Sequence, residues 1–105
     1  MCINGMDTID IHINKIRKII PEAARYEQLA EECTELAQAC LKKARKLRDE
    51  NYTPKHMDEI DRNLEEEFSD VRLSVYACGL VLNWKMYYEK AERWIKRNEN
   101  RGIIC

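Results

Sequence analysis

Apolar residues recur along this chain at intervals of three and four, which is the spacing of an amphipathic helix. The first such segment predicts a helix over about residues 8–20, with Asp7 or Thr8 as its cap. Its apolar positions are Ile9, Ile13, Ile16 and Ile20. Pro21 ends this helix and suits the first turn of the next one, while residues 1–6 are expected to form a loose leader.

A second helix is predicted over about residues 22–49, where a longer apolar stripe follows the same spacing. That stripe consists of Leu29, Ala30, Cys33, Leu36, Ala37, Cys40, Leu41, Ala44 and Leu47. The chain then breaks, with Thr53 as the expected cap and Pro54 as the first residue of a third helix over about residues 54–82. The stripe of the third helix consists of Ile60, Leu64, Phe68, Val71, Val75, Cys78 and Leu82.

A turn near Asn83 leads to a fourth helix, which is expected to end before Gly102. Its apolar positions are Tyr87, Tyr88, Ala91, Trp94 and Ile95. Short connections between helices favour antiparallel neighbours. We therefore expect an all-α fold with a four-helix antiparallel bundle-like protomer, and all 105 residues in a single domain.

The composition supports this class and excludes several functions. Only 3 Gly and 2 Pro occur, while 35% of the residues are charged, as expected of long amphipathic helices. A net charge of −1 gives no reason to expect nucleic acid as a partner. The chain has no apolar run of membrane-spanning length and lacks a signal peptide, so we expect no membrane partner.

The five cysteines form no C-x-x-C pair, which argues against a zinc knuckle or a redox motif. Free cysteines of this kind are typical of a reducing cytoplasm, which is the expected compartment. Cys33 and Cys40 lie seven residues apart on the predicted stripe, and we expect both to be small core residues.

Two acidic patterns provide the candidate chemistry. Glu32 and Glu35 lie three residues apart on the second helix, and Glu67 and Asp70 do so on the third. Carboxylates at this spacing face the same way on a helix. Four of them brought together from two helices would bind Mg²⁺ or Mn²⁺, the hard cations that enzymes use with phosphate substrates. The alternative is two separate, solvated acidic faces that pair with lysines.

The angular positions of the acids favour convergence. Measured from Leu29, Glu32 and Glu35 lie at roughly 300° and 240° on the helical wheel. Measured from Leu64, Glu67 and Asp70 have the same two offsets. The first acid of each pair should therefore border the core, and the two flanks would meet if the helices pack antiparallel.

Cations follow on the same flank of the second helix. Lys42 and Lys46 lie at roughly 220° and 260° on the wheel. Lys42 is about two turns beyond Glu35, a distance that would suit the far phosphates of a triphosphate. Both lysines would equally suit a solvated helix C-terminus. The chain contains no Gly-rich phosphate loop and no Glu-x-x-His motif of a di-iron bundle.

These motifs resemble those of the MazG-like all-α nucleoside triphosphate pyrophosphohydrolases. The likeness is carried by QLAEECTELAQA at 28–39 and EEFSDV at 66–71, which contain the family's EExxE and ExxD patterns. It covers about residues 22–82 and extends more loosely to the last helix. The family usually works as a dimer or tetramer, so the resemblance implies a homodimer or homotetramer.

The resemblance implies Mg²⁺-dependent hydrolysis of a nucleoside triphosphate, with a dNTP as the expected substrate, to a monophosphate and pyrophosphate. By motif position it makes Glu32, Glu35, Glu67 and Asp70 the metal ligands, and Glu31 a supporting acid that positions or activates water. Family members often carry a Lys, an Asn and an Arg on the last helix that contact phosphates. Here Asn98 and Arg101 fit the end of that pattern, while Trp94 stands where the Lys is expected, so that Lys96 would take its place.

Two other hypotheses remain open at this point. One is a non-enzymatic helical module that binds a partner or regulates. The other is the same fold acting on a different phosphorylated substrate. The base is not predicted, because no base-reading motif is present.

Overall fold

The computed structural model of the protein describes residues 5–49 and 55–101. It contains four helices, which are α1 (Gly5–Ile19), α2 (Glu22–Arg48), α3 (Met57–Ala77) and α4 (Trp84–Asn100). No strand occurs in these two ranges, which confirms the all-α class. None of the four helices is both long and apolar enough to cross a membrane.

The first helix starts earlier than the apolar pattern predicted. It begins at Gly5, so Asp7 and Thr8 lie inside α1 and neither of them caps it. Residues 1–4 lie outside the described ranges. The predicted break at Pro21 is confirmed, since ψ is 154° there, and α2 begins at the next residue. Proline suits this position because its fixed φ is compatible with a helix start and its missing N–H would have had no partner.

The third helix is shorter than predicted at both ends. It begins at Met57 rather than at residue 54, and Thr53 and Pro54 lie outside the described ranges. It ends at Ala77 rather than at residue 82. Gly79 has a φ of 74°, the left-handed conformation that commonly terminates helices. The last residues of the predicted stripe therefore lie in the connection to α4.

The second and third helices run in opposite directions. Near one end of the pair, Arg25 Nη1 donates to the carbonyl of Ala77 at 2.8 Å. Near the other end, Lys43 forms an ion pair with Asp61. This reversed order of contacts confirms that α2 and α3 are antiparallel neighbours, and they form the main packed unit of the chain, with α1 against α3.

The buried face of each paired helix is rotated away from the predicted apolar stripe. The buried residues are Glu32 and Ala39 in α2 and Ile60, Ser74 and Ala77 in α3. They centre on the acidic side of each wheel, roughly 90° from the middle of the predicted stripes. Small side chains on this face let the two helices approach closely, and hydrophobic spacing alone does not register that preference.

One consequence is that part of the predicted stripe faces solvent. Cys33 and Cys40 are exposed, so the prediction that they are core residues was wrong for the single chain. Leu41 and Phe68 are exposed as well. The hydrophobic pattern thus located the helices and the buried Ile60 correctly, while the centre of the packing face lies to one side of the predicted stripes.

Hydrogen bonds involving two residues of α1 hold it against α3: Asp10 accepts from the Tyr76 hydroxyl, and Arg17 donates to the end of α3. Ile13 is the buried residue of α1. The Arg17 guanidinium donates from Nε to the Ala77 carbonyl at 3.1 Å and from Nη2 to the Tyr76 carbonyl at 2.8 Å. These are carbonyls of the last turn of α3, which have no partner within their own helix. The arginine thus caps α3 and fixes α1 against it.

The fourth helix lies apart from this three-helix unit. Its start is capped by Asn83, whose Oδ1 accepts from the Met86 N–H at 3.0 Å. It does not pack along any of the other helices, and none of its residues is buried. The bundle within one chain is therefore formed by α1, α2 and α3, and α4, which was predicted as its fourth member, lies outside it.

Candidate metal centre

The antiparallel pairing of α2 and α3 brings the two acidic pairs together. Each pair spans one helical turn, so both of its carboxylates project from the same side. Since the helices run in opposite directions, Glu32 comes to lie by Asp70 and Glu35 by Glu67. The convergence predicted from the helical wheel is thus present, with its members in reversed order.

The four carboxylates form one compact cluster. An oxygen from each of Glu32, Glu35, Glu67 and Asp70 can be chosen so that all four lie within 4.8 Å of one another. Glu32 is buried and Glu67 half-buried, while Glu35 and Asp70 are exposed. The cluster therefore has a buried inner side and an outer side open to solvent, as a site that admits a substrate requires.

Glu32 lies deeper than predicted, whereas the half-buried Glu67 lies at the edge of the core as predicted. Glu32 was expected at the edge of the core, but its exposed fraction is only 9%. This follows from the rotated packing face, which puts the first acid of each pair between the helices. The Gln28 amide reaches it from one turn away, where Nε2 donates to Glu32 Oε1 at 3.1 Å.

Burial and mutual repulsion both favour protonation of the inner pair. Desolvation is the largest cause that raises the pKa of Glu32, followed by the charges of Glu35 and Asp70, while the Gln28 hydrogen bond acts in the opposite direction. Desolvation also raises the pKa of Glu67, followed by its hydrogen bond to Glu35 and by the charges of the other three acids. Without a counter-charge, these carboxylates resist being ionised together.

One oxygen of the cluster indicates what would relieve this repulsion. Glu67 Oε2 is buried and has no hydrogen-bond partner within the described residues. A buried carboxylate oxygen without a donor is unfavourable unless a cation binds it. In an octahedral Mg²⁺ site, opposite oxygens are roughly 4.2 Å apart, which the separations in this cluster approach. The four side chains therefore fit a small divalent cation.

The neighbouring acids do not belong to the cluster. Glu31, the predicted supporting acid, is exposed and is not among the four converging carboxylates. Glu66 is exposed too, and its Oε1 lies 3.6 Å from Arg62 Nε in a surface ion pair. Glu31 precedes a cluster residue directly, so it lies at the outer rim, where water is available.

The predicted phosphate-binding residues occupy two separate regions. Lys42 and Lys46 lie on α2 beyond the cluster, and both are half-buried. Lys96 and Arg101 line a broad depression of about 650 Å³ whose wall comes entirely from the end of α4. Asn98 donates from Nδ2 to the Trp94 carbonyl at 3.0 Å. Lys96, Asn98 and Arg101 line neither of the two cavities that include members of the acidic cluster.

A cavity that the sequence did not reveal adjoins the cluster. It has a volume of about 300 Å³ and includes Glu32 and Asp70 in its wall. The rest of the wall is mostly apolar with a few polar groups, and is formed by Ile16, Ile20, Arg25, Gln28, Leu73, Ser74 and Ala77. A mixed lining of this kind is typical of a small-molecule site. The sequence feature that could have indicated this cavity is that Gln28 and Ser74 lie on the same side of their helical wheels as the four acids.

Comparisons of the chain with models of known protein families, with characterised protein sequences and with solved structures find no match. The resemblance to the MazG-like enzymes therefore rests on the two acidic motifs and their flanking residues. The geometry of the cluster is a separate observation, because it follows from the packing of α2 against α3.

Proposed function

We propose that the protein is a Mg²⁺-dependent nucleoside triphosphate pyrophosphohydrolase of the MazG-like type. Water would attack a nucleoside triphosphate, with a dNTP as the expected substrate, and the bond between the α and β phosphates would break. The products are a nucleoside monophosphate and pyrophosphate. The observation that carries this proposal is the convergence of four carboxylates, one of which, Glu67, has a buried oxygen without a hydrogen-bond partner among the described residues.

A divalent cation bound by Glu32, Glu35, Glu67 and Asp70 would neutralise the phosphates and lower the pKa of the attacking water, and Mn²⁺ would be a substitute for Mg²⁺. Glu31 at the exposed rim would orient that water and accept its proton. Lys42 and Lys46 lie further along the same helix, where their ammonium groups would hold the β and γ phosphates. The adjoining cavity would take the nucleoside.

The site also needs support beyond one chain. Lys96, Asn98 and Arg101, which the resemblance assigns to phosphate contacts, belong to a helix that does not pack along α2 or α3. We therefore propose a homodimer or homotetramer as the working form. The reducing cytoplasm is the compartment that we propose, on the strength of the cysteine pattern.

The direct test is a screen for pyrophosphate release from canonical and modified nucleoside triphosphates with Mg²⁺ and with Mn²⁺. We expect release from at least one deoxynucleotide, and its loss in Glu35→Gln and Asp70→Asn with the helical content unchanged. Glu66→Gln is the matched control, since this acid lies on α3 next to the cluster but outside it.

Two results would contradict the proposal in different ways. Release of orthophosphate alone would show that the protein cleaves a different bond. If no nucleotide is hydrolysed and Mg²⁺ with nucleotide leaves the melting temperature unchanged, the non-enzymatic module would be the better hypothesis, because a ligand that binds only the folded state must raise apparent stability.

A further inference from the structure

The helix α4 carries a wide apolar stripe that nothing covers. On the helical wheel this stripe spans roughly 120°. It consists of Trp84, Tyr87, Tyr88, Ala91, Trp94 and Ile95, and Asn98 interrupts it. The two tryptophans are 72% and 64% exposed. Aromatic side chains of this size contribute most of the burial free energy in cores and interfaces, so their exposure in an isolated helix is unfavourable.

The whole chain is also too open for a monomer of its size. Its accessible surface is 8850 Å², whereas a compact monomer of 12.5 kDa exposes roughly 6,200 Å². Its radius of gyration is 17.8 Å, against roughly 13 Å for a compact domain of this length. The excess surface is larger than the roughly 800 Å² that each partner buries in a standard protein interface.

The two edges of the stripe carry opposite charges. Lys85, in the first turn at roughly 100° from Trp84, is a lone cation on the acidic side. Measured from the same residue, Lys90 and Arg97 lie at roughly 240° and 220°, beside Trp94, whereas Glu92 and Glu99 lie at roughly 80° and 60°, beside Tyr88. Each pair is seven residues apart and so extends along the same length of the helix. None of these four side chains forms an ion pair within the described residues.

The charged edges of two copies of α4 complement each other when the helices are parallel. When two copies of a helix pair in parallel, opposite edges of their stripes meet, so the basic edge of each would face the acidic edge of the other. In an antiparallel pair, identical edges meet, so the two basic edges would oppose each other, and on the acidic edges only Lys85 could offset the repulsion between glutamates. The charges therefore select the parallel arrangement, while the aromatic stripe provides the buried area.

We propose that α4 is a self-association helix, which pairs in parallel with α4 of a second copy of this chain through its aromatic stripe. The three-helix unit of each copy then lies outside the pair. This inference does not depend on the proposed hydrolysis, since it uses no residue of the acidic cluster.

The first measurement is the mass of the full chain in solution, by sedimentation or light scattering. We expect a dimer or a larger even oligomer, and a monomer for Trp94→Glu with its helical content retained. A wild-type chain that remains a monomer at high micromolar concentration would overturn the proposal. A compact monomer would show α4 folded onto its own chain.

Charge exchange along the edges tests the orientation. Lys90→Glu with Arg97→Glu makes both edges acidic, and we expect association to weaken by roughly ten- to a hundredfold. Adding Glu92→Lys and Glu99→Lys exchanges the edges and should restore it. The matched control is Arg93→Glu with Lys96→Glu, which has the same change in charge on the outer face of the helix and should leave association nearly unchanged.

An antiparallel pair gives a different result. There the like edges meet in every variant, so neither the double nor the fourfold substitution would change association much. Equal association of all these variants would therefore overturn the parallel arrangement, and weakening of the control alone would place the interface on the other side of α4.

Discussion

At the scale of single residues, Glu67 shows a conflict between the stability of the fold and the binding of a cation. It is half-buried on the packing face of α3, and Glu35 lies beside it. One of its oxygens has no hydrogen-bond partner in the part of the chain that the structure describes. An apolar residue would pack better there, and a buried acid without a counter-ion destabilises the fold. Clustered acids whose pKa is raised by burial and by neighbouring carboxylates are typical of sites that bind or react. Glu67 would then lower the stability of the metal-free protein and bind the cation when it is present.

Replacing this residue should separate the two effects. In Glu67→Gln the buried charge is removed, so we expect the metal-free protein to melt at a higher temperature than the wild type. The increase in melting temperature on addition of Mg²⁺ should be lost. Pyrophosphate release should fall by more than the roughly 10–100-fold that loss of an outer-shell partner costs. Calorimetric scans with and without Mg²⁺ measure the first two effects.

The control for this substitution is Glu66→Gln on the same helix. Its side chain is exposed and pairs with Arg62, so the melting temperature and its response to Mg²⁺ should remain close to wild type. A Mg²⁺ response that persists in Glu67→Gln would remove this residue from the ligand set.

The raised pKa values of Glu32 and Glu67 also give a pH dependence with a definite sign. The folded state holds these protons more tightly than the unfolded state, so the contribution of these two groups to stability is greatest at low pH. It falls as the pH rises from about 4.5, the ordinary value, through the raised pKa of each carboxyl. We expect Mg²⁺ to offset this loss, because it favours the ionised form.

Urea unfolding across this range measures the effect. The difference in unfolding free energy between Glu67→Gln and the wild type, both without metal, should increase with pH and then level off. Using this difference cancels the titration of groups that do not interact with Glu67. A difference that does not vary with pH would show that the Glu67 carboxyl titrates normally.

At the scale of the helices, the sequence located the elements well but not their packing faces. The apolar spacing and Pro21 placed α2 correctly to within a residue, and the acid spacing predicted the convergence of the cluster. Periodicity could not show that small residues such as Ala39 of α2 and Ser74 of α3 would be buried between the helices while part of the predicted stripes is exposed. It also could not show Gly79 ending α3 early, since a glycine is compatible with a helix until its φ is known.

Long-range hydrogen bonds of arginine were likewise not predictable, because they join residues far apart in the chain. Arg25 donates from Nε to the Ile20 carbonyl at 3.1 Å and from Nη1 to the Ala77 carbonyl at 2.8 Å. It thus fastens the α1–α2 connection to the end of α3. We expect Arg25→Ala to lower the unfolding free energy by about 1–3 kcal/mol, as loss of charge-assisted hydrogen bonds does.

Urea denaturation of this variant provides the measurement, with Lys18→Ala as the control. Lys18 is exposed in the last turn of α1, and its removal should change stability by only a few tenths of a kcal/mol. Equal effects of the two substitutions would mean that the Arg25 contacts contribute nothing beyond their charge.

At the scale of the whole molecule, the two unusual features lie in different parts. The three-helix unit contains the acidic cluster and the cavity beside it, whereas α4 contributes the exposed aromatic stripe and most of the basic depression. A division of this kind lets binding and assembly be tested separately. Variants of the α4 stripe should change the mass of the particle, and variants of the cavity should change what the cluster can act on.

The cavity makes the last prediction specific. Ser74 lies in its wall on α3, and the cavity of about 300 Å³ is at the small end for ligand sites. The larger side chain of Ser74→Val would fill part of it. If the nucleoside binds there, KM for the nucleotide should rise several-fold while the Mg²⁺-induced increase in melting temperature is retained. Ser69→Val is the matched control, because Ser69 is exposed on the same helix and lines a different depression. Equal KM values for the two variants would place the nucleoside outside this cavity and leave the metal centre unaffected.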